Sequence, residues 1–528
     1  MIFCSTAKYR AASRRTLATL VAASLALSPA AGPSFAQNLP NLGDESANVL
    51  SPQMERRIGE SYYRELRRDP SYLDDPEIKA YIEELGAQLI AAGPEPGLDV
   101  EFFMIRDGTI NAFAMLGGFI GVNSGLLLAA QSESEAASVL AHELGHLTQK
   151  HIARSVSAGQ RASVVSMVAL AVALLAARSN GQVAAGAVAG AQAFQVQQQL
   201  AYSRDFEREA DRVGFDTLQK AGFDVSAMAA FFERLQRAGR IYESNAPVYV
   251  RSHPLTTERI ADVRNRIQGT RYRQRADSQA FQLARAKLRA TLDPSVDGIR
   301  DAVRFFETQL NEKSYASQSA ATYGHAEALL LARDYQGADA ALSRMPADAA
   351  HPMIDGLKAR IRLAAGDIAG AIAVYRGAVK KFPRVRHLQV ALAGALQTDG
   401  RHDETLAMLR DQLQSYRNDA RLYEMQARSF AATGKLMSQH QALGEYYALV
   451  GSPQAAIEQF QIARCAGGGD FYQQSIIDSR IRVLWDQAVS ERADRGESGK
   501  GGGAAPAAGP GGRGQHPALQ APGRCGPG

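Results

Sequence analysis

Apolar positions recur along this chain with two periods, and the switches between them mark its elements. Residues 51–93 carry them at helical spacing, interrupted at Pro70 and Pro76, which predicts two helices. The stretch LDVEFFMIRD (98–107) alternates with period two and is rich in aromatics, which predicts a strand. NAFAMLGGFIGVNSGLLLAA (111–130) contains a Gly-Gly step and then a short strand over 119–122. Ser132 or Ser134 can cap a helix through 134–152, with Glu135 in its first turn. Helices are expected again over 202–221 and 225–241, and helix follows helix from about residue 275 onward.

Two apolar runs stand apart from this amphipathic background. The first follows the basic residues up to Arg15, extends from Leu17 to Leu27, and precedes the small-x-small step Ser34-Phe35-Ala36. That is the layout of a secretory leader cleaved after Ala36. A membrane anchor is the competing reading, but a spanning helix needs about 20 residues. The second run, within 163–196, is rich in Ala and Val and is too short to span as well. It reads either as a core hairpin or as a flap facing membrane or substrate, so peripheral membrane contact is one expectation.

The helical region repeats itself. Gly366, Gly400 and Gly434 are spaced 34 residues apart, each in a short turn. Thirty-four is the tetratricopeptide period. In the best copy, 366–383, Gly366, Ala371, Tyr375, Ala378 and Pro383 fall where nested helices need small, aromatic and breaker residues. ARDYQGA (332–338) is one period upstream with Ala332 for Gly, and Gly451, Ala456, Phe460 and Ala463 start the pattern half a period late, so one helix is expected to serve two pairs. Such stacks offer concave surfaces to proteins or peptides.

Charge changes the picture by its placement. The net +5 comes from the ends: residues 1–36 contribute four positive charges and residues 495–528 three more, leaving about −2 in between. A near-neutral body argues against a nucleic-acid surface. With Cys465 and Cys525 alone remaining after leader cleavage, and Cys525 in a Gly/Pro-rich tail, no structural disulfide is expected. The expected organisation is a leader over 1–36, a first domain over 37–270, a repeat domain over 271–490 and a disordered tail over 491–528.

The chemistry lies in VLAHELGHLTQKH (139–151). On a helix, His142 and His146 stand one turn apart on one face, so both imidazoles can reach one ion. Glu143 is rotated about 100° from His142, beside the ion, where it can take a proton from water. Gly145 costs roughly 1 kcal/mol of helix propensity against Ala, which a close approach by another backbone would explain. His151 points to the other side of such a helix and is expected at the surface. A catalytic zinc wants a third protein ligand and an open position. In SRDFEREADRVGF (203–215), Glu207 and Asp211 share a helix face. Glu207 can ligate, and Asp211 can orient a ligating histidine. Taken alone the stretch suits a solvated face of paired charges; beside the histidines, a two-helix site of His142, His146 and Glu207 is expected. His253 precedes Pro254 and so belongs to a loop.

HELGH, then EREAD with Glu207 65 residues after His142, then SHPLTTERIADVR (252–264), together resemble metallopeptidase family 48. The leader and the repeats resemble its periplasmic, repeat-bearing members; the integral-membrane members have apolar spans of about 20 residues that this chain lacks after its leader. The resemblance covers about residues 45–490 and implies a mainly α molecule: a gluzincin-type zinc protease domain of helices plus a small β-sheet, then an α-helical tetratricopeptide-repeat domain. It implies one Zn2+ per subunit held by His142, His146 and Glu207, Glu143 as catalytic base, and His253 able to take the fourth zinc position and hold the enzyme latent. It implies a substrate strand added beside residues 119–123, although Leu116 replaces the proline the family often has before the two glycines. The implied activity is periplasmic cleavage of misfolded or stalled outer-membrane proteins, with the repeats docking clients or the outer-membrane assembly machinery. The alternative is a chaperone-like scaffold with latent or no proteolysis.

Overall fold

The computed structural model of the chain describes residues 50–158, 204–241, 248–346, 349–467 and 469–498. The leader and the run over 163–196 fall outside them.

Two helices come first, α1 (Pro52–Leu66) and α2 (Pro76–Ala92). Each starts on a proline preceded by a capping side chain: Ser51 accepts from the Met54 N–H, Asp75 from those of Glu77 and Ile78. Strands β1 (Glu101–Ile105), β2 (Ala112–Met115) and β3 (Phe119–Asn123) follow and pair in the order β1-β3-β2. β3 is parallel to β1 and antiparallel to β2. The strand expected over 119–122 is therefore central, and β2 is an edge. Gly117 and Gly118 link β2 to β3 at φ +76° and +87°, a left-handed stretch closed to side chains, so the turn forms with Leu116 in front of it.

Next come α3 (Ser124–Ala129), α4 (Glu133–Thr148), α5 (His151–Ala158), α6 (Arg204–Lys220), α7 (Ser226–Ile241), α8 (Val248–Ser252) and α9 (Thr257–Gln268). Ser132 caps α4 by accepting from the Glu135 N–H. α4 is buried from Glu133 to His146, because α6, α7, α2 and β2 all pack on it. The backbones of α4 and α6 approach closely at two glycines. A Cβ on Gly145 would lie 2.8 Å from the Ala210 carbonyl oxygen, and one on Gly214 would lie 3.0 Å from the His142 nitrogen. That approach accounts for a glycine inside α4.

The remaining helices are α10 (Gln279–Thr291), α11 (Val296–Glu312), α12 (Gln318–Leu331), α13 (Tyr335–Ser343), α14 (Pro352–Ala364), α15 (Ile368–Lys381), α16 (Arg386–Thr398), α17 (His402–Ser415), α18 (Ala420–Ala432), α19 (Leu436–Leu449), α20 (Pro453–Cys465) and α21 (Phe471–Ser498). Gly366, Gly400 and Gly434 end α14, α16 and α18 at φ +85°, +76° and +70°. One repeat upstream the left-handed residue is Arg333, at φ +63°, not Ala332. Asp334 caps α13 as Asp367 caps α15, so that step is 33 residues. α19 packs against both α18 and α20, serving two pairs. α21 runs past residue 491, where the tail was expected to begin, because ERADR (491–495) contains no Gly or Pro. Cys465 is disulfide-bonded, contrary to the expectation of no structural disulfide. Among the described residues no helix is long and apolar enough to cross a membrane.

The repeats pack directly on the first helices of the chain. Glu77, at the start of α2, is buried and accepts from Lys287 Nζ of α10 at 2.6 Å and Tyr323 Oη of α12 at 3.2 Å, with Arg360 of α14 at 3.5 Å. Gly356 of α14 leaves room for it: an added Cβ would lie 2.7 Å from Glu77 Oε1.

Candidate metal centre

α4 presents His142, Glu143 and His146; α6 presents Glu207 across the close helix crossing; the residue after α8 is His253. All five side chains are buried. His142, His146, Glu207 and His253 each offer one ligand atom within 4.8 Å of the others. His142 Nε2 lies 3.0 Å from His146 Nε2, 3.4 Å from His253 Nδ1 and 3.6 Å from Glu207 Oε2. Glu207 Oε1 lies 3.5 Å from His146 Nε2 and 3.1 Å from His253 Nδ1. Ligands held by one tetrahedral zinc at about 2.0–2.1 Å stand roughly 3.3–3.4 Å apart. These separations bracket that edge length, and three imidazoles with one carboxylate are a zinc donor set, so the residues fit the ion.

Behind this cluster stand further polar side chains. His142 Nδ1 lies 2.9 Å from Asp211 Oδ1. Asp211 accepts from Arg259 Nε at 2.7 Å and Nη2 at 2.8 Å, and Arg259 Nη1 reaches Glu207 Oε2 at 2.6 Å. One guanidinium thereby braces both α6 carboxylates. Glu143 points its Oε2 at the edge strand, where the Ala114 N–H donates to it at 3.0 Å, and its Oε1 lies 3.5 Å from His253 Nε2. Tyr249, also buried, stacks on the His253 ring at 4.7 Å between centroids.

Burial raises the Glu143 carboxyl, against the pull of His253 and His142. A carboxylate raised in this way is a better proton acceptor near neutral pH. Burial opposes the charged forms of Glu207 and Asp211 too, but His253, His142 and Arg259 hold Glu207 well below the usual carboxylate range, and Arg259 with His142 holds Asp211 below it. Burial also works against charge on His142, yet its bonds to Asp211 and Glu207 lift it to about 9, while burial and the neighbouring His142 push His146 well below its ordinary value. Two imidazoles 3.0 Å apart do not both carry a charge.

The structure brings His142, Glu143, His146, Glu207, Asp211 and His253 into one site. Two expectations change. A substrate strand cannot pair beside 119–123, because β3 already has neighbours on both sides; the edge next to Glu143 is β2. His151 is buried, not at the surface. The helix stops at Thr148, and Lys150 at φ +52° turns the chain so that His151 comes back to His146. Arg259 and Tyr249 were missed. Arg259 lies in SHPLTTERIADVR, but only the fold shows that two buried carboxylates face it.

Two helices, an H-E-x-x-H pair on one and a carboxylate from the other, are the arrangement of a metallopeptidase, in which the two histidines and the glutamate could hold an ion. A model of peptidase family M48 matches residues 73–267, and a tetratricopeptide-repeat model matches residues 362–429. Over 485 residues the chain is 31% identical to the β-barrel assembly-enhancing protease of Escherichia coli K12, covering 90% of this chain and 97% of that one. It is 42% identical over 260 residues to a putative β-barrel assembly-enhancing protease of Vibrio cholerae, covering 48% and 54%. The mitochondrial metalloendopeptidase OMA1 of Schizosaccharomyces pombe is 28% identical over 224 residues, 41% of this chain and 62% of that one. The chain belongs to peptidase family M48, in the type represented by the β-barrel assembly-enhancing proteases, and is a metalloendopeptidase.

Proposed function

We propose that this chain is an exported, periplasmic zinc endopeptidase that cleaves misfolded or stalled outer-membrane proteins and aids their assembly. A peptidase domain over 37–270 would do the chemistry, and repeats over 271–490 would bind clients or the assembly machinery. The names of the E. coli and V. cholerae relatives support the substrate class. The observation that carries the activity is the convergence of His142, His146 and Glu207 beside a buried Glu143. These three residues would hold one zinc, which when bound polarises a scissile carbonyl and acidifies water.

The rest follows from the chain's own groups. An extended peptide adds along the outer edge of β2, where backbone hydrogen bonds align it and side-chain pockets select it. Glu143 takes the proton of the attacking water and returns it to the leaving amine. Asp211 orients His142, and Arg259 keeps Asp211 and Glu207 ionised. His253 must leave its place between Glu207 and Glu143 before water and peptide enter. That gating supports a second reading, a client-binding scaffold whose proteolysis is latent until His253 moves.

The test is zinc content and casein cleavage of the purified chain beside a Glu143→Gln variant. Equal zinc in both with cleavage in the wild type alone is expected, and the loss should be at least about 100-fold. Cleavage that survives in Glu143→Gln would remove the base from the mechanism.

A further inference from the structure

His142 and His146 are backed differently. Asp211 meets His142 directly at 2.9 Å. His146 Nδ1 instead lies 2.9 Å from His151 Nδ1, and His151 Nε2 lies 3.1 Å from Glu209 Oε2, which also accepts from Arg154 Nη1 at 2.8 Å. Resting on the metal reading above, the geometry points to a two-step relay: His151 and Glu209 are positioning residues that fix His146 for metal binding.

The proton positions follow from the distances. His146 Nε2 faces the cluster and offers its lone pair, so the ring's proton sits on Nδ1 and is donated to His151 Nδ1. That places the His151 proton on Nε2, donated to Glu209. One tautomer of each ring completes the chain, and the carboxylate at its end selects it. The His151 ring is held in plane by stacking on Phe206, with centroids 4.5 Å apart and planes 10° from parallel, and Arg154 lies over the same Phe206 ring.

The backbone is bent to make this contact. On a continuous helix, residues five apart diverge by about 140°, which would carry His151 away from His146. The break after Thr148 and the left-handed Lys150 bring it back. A side chain other than glycine held at positive φ is strained, and such strain persists where the surroundings require it.

The test is zinc affinity of the mature full-length protein, measured by competition with a chromophoric chelator, for the wild type, Glu209→Ala, His151→Phe and the double variant. His151→Phe keeps a ring against Phe206, and Glu209, its side chain 37% exposed, tolerates truncation without loss of the fold. Each single variant is expected to bind zinc about 10–100-fold more weakly, and the double variant no more weakly than His151→Phe alone, because the two act in series. Glu209→Gln, which keeps an acceptor, should recover part of the loss. The cobalt-substituted protein should show a shifted visible spectrum in both single variants. Single variants within twofold of a tightly binding wild type, or additive losses in the double, overturn the relay alone. A wild type without tight zinc overturns the metal reading and the relay with it.

Discussion

At the scale of single residues, His253 reaches two groups of the site at once. Its Nδ1 stands among the ligand atoms, 3.1 Å from Glu207 Oε1, and its Nε2 stands 3.5 Å from Glu143 Oε1. On the proposed mechanism, one ring would fill the place of the reacting water and engage the base that would deprotonate it. Replacing it should release both while leaving His142, His146 and Glu207 in place. If fewer than about a tenth of molecules hold His253 aside at a given moment, His253→Ala raises the initial rate of casein cleavage by about tenfold or more. Zinc content per chain should stay at the wild-type level. A variant no faster than wild type, at equal zinc, would show that His253 does not gate the site. The residues that make this arrangement were uneven in their visibility. His142, Glu143 and His146 announce themselves by spacing on one helix, and Glu207 with Asp211 by the same logic on another. Arg259 and His151 have no such spacing, because their partners lie on other helices or across a bend.

At the scale of elements, the site depends on how closely α4 and α6 cross. Gly145 and Gly214 let the two backbones touch, and that contact brings Glu207 to the histidines. Gly145→Ala would insert a methyl 2.8 Å from the Ala210 carbonyl oxygen and 3.0 Å from the Ala210 Cα. Backbone atoms on a packed helix cannot yield as a flexible side chain does. The substitution improves helix propensity by roughly 1 kcal/mol but overpacks the crossing at a cost of about 1–3 kcal/mol. A net fall in urea-unfolding stability, together with weaker zinc binding, is the expected outcome; a more stable variant would mean that the helices separate freely. Both helices were legible from periodicity and from Ser132 and the acidic residues after it, since those signals are local. The break at Lys150 was not, because a lysine carries no preference for left-handed backbone and the bend is imposed by what His151 meets. The order of the sheet was not legible either. Ala112–Met115 and Phe119–Asn123 are adjacent in sequence, and which of them β1 chooses is decided by pairing across the chain. For the same reason the edge offered to a peptide was assigned to the wrong strand.

At the scale of the whole molecule, the peptidase helices and the repeats are joined through buried charge. Glu77 of α2 meets Lys287 and Tyr323, with Arg360 close by, and Arg360 is also bound to Glu327 at 2.7 Å. The 34-residue period of the repeats was visible in the sequence, but nothing in Glu77 or its neighbours showed that the repeats would close on it. Lys287 keeps Asp75 at 2.6 Å and Arg360 keeps Glu327, so Glu77→Gln removes one charged hydrogen-bond acceptor without stranding a cation and should cost about 1–3 kcal/mol of stability at pH 7. The cost should depend on pH in a defined direction. Burial opposes charge on Glu77, but Lys287 and Arg360 outweigh it and hold its carboxyl at about 2, whereas the unfolded chain protonates it near the ordinary value of 4.5. Its contribution is therefore complete above pH 4.5 and is lost as pH falls from there through about 2. His351, beside the same cluster, is pushed by burial down to about 4 from 6.5. Between pH 6.5 and 4 the unfolded chain takes up a proton there that the folded chain refuses, so acid weakens the fold in that window as well. Urea unfolding of the metal-free protein should show stability falling steadily from pH 7 toward pH 3. The gap between wild type and Glu77→Gln should hold from pH 7 to about 4.5 and narrow below it, since the unfolded wild type then takes up a proton that the folded carboxyl refuses until about pH 2, whereas the variant has no such group. A gap that stayed constant down to pH 3 would mean that Glu77 is not the charge on which the contact between peptidase and repeats depends.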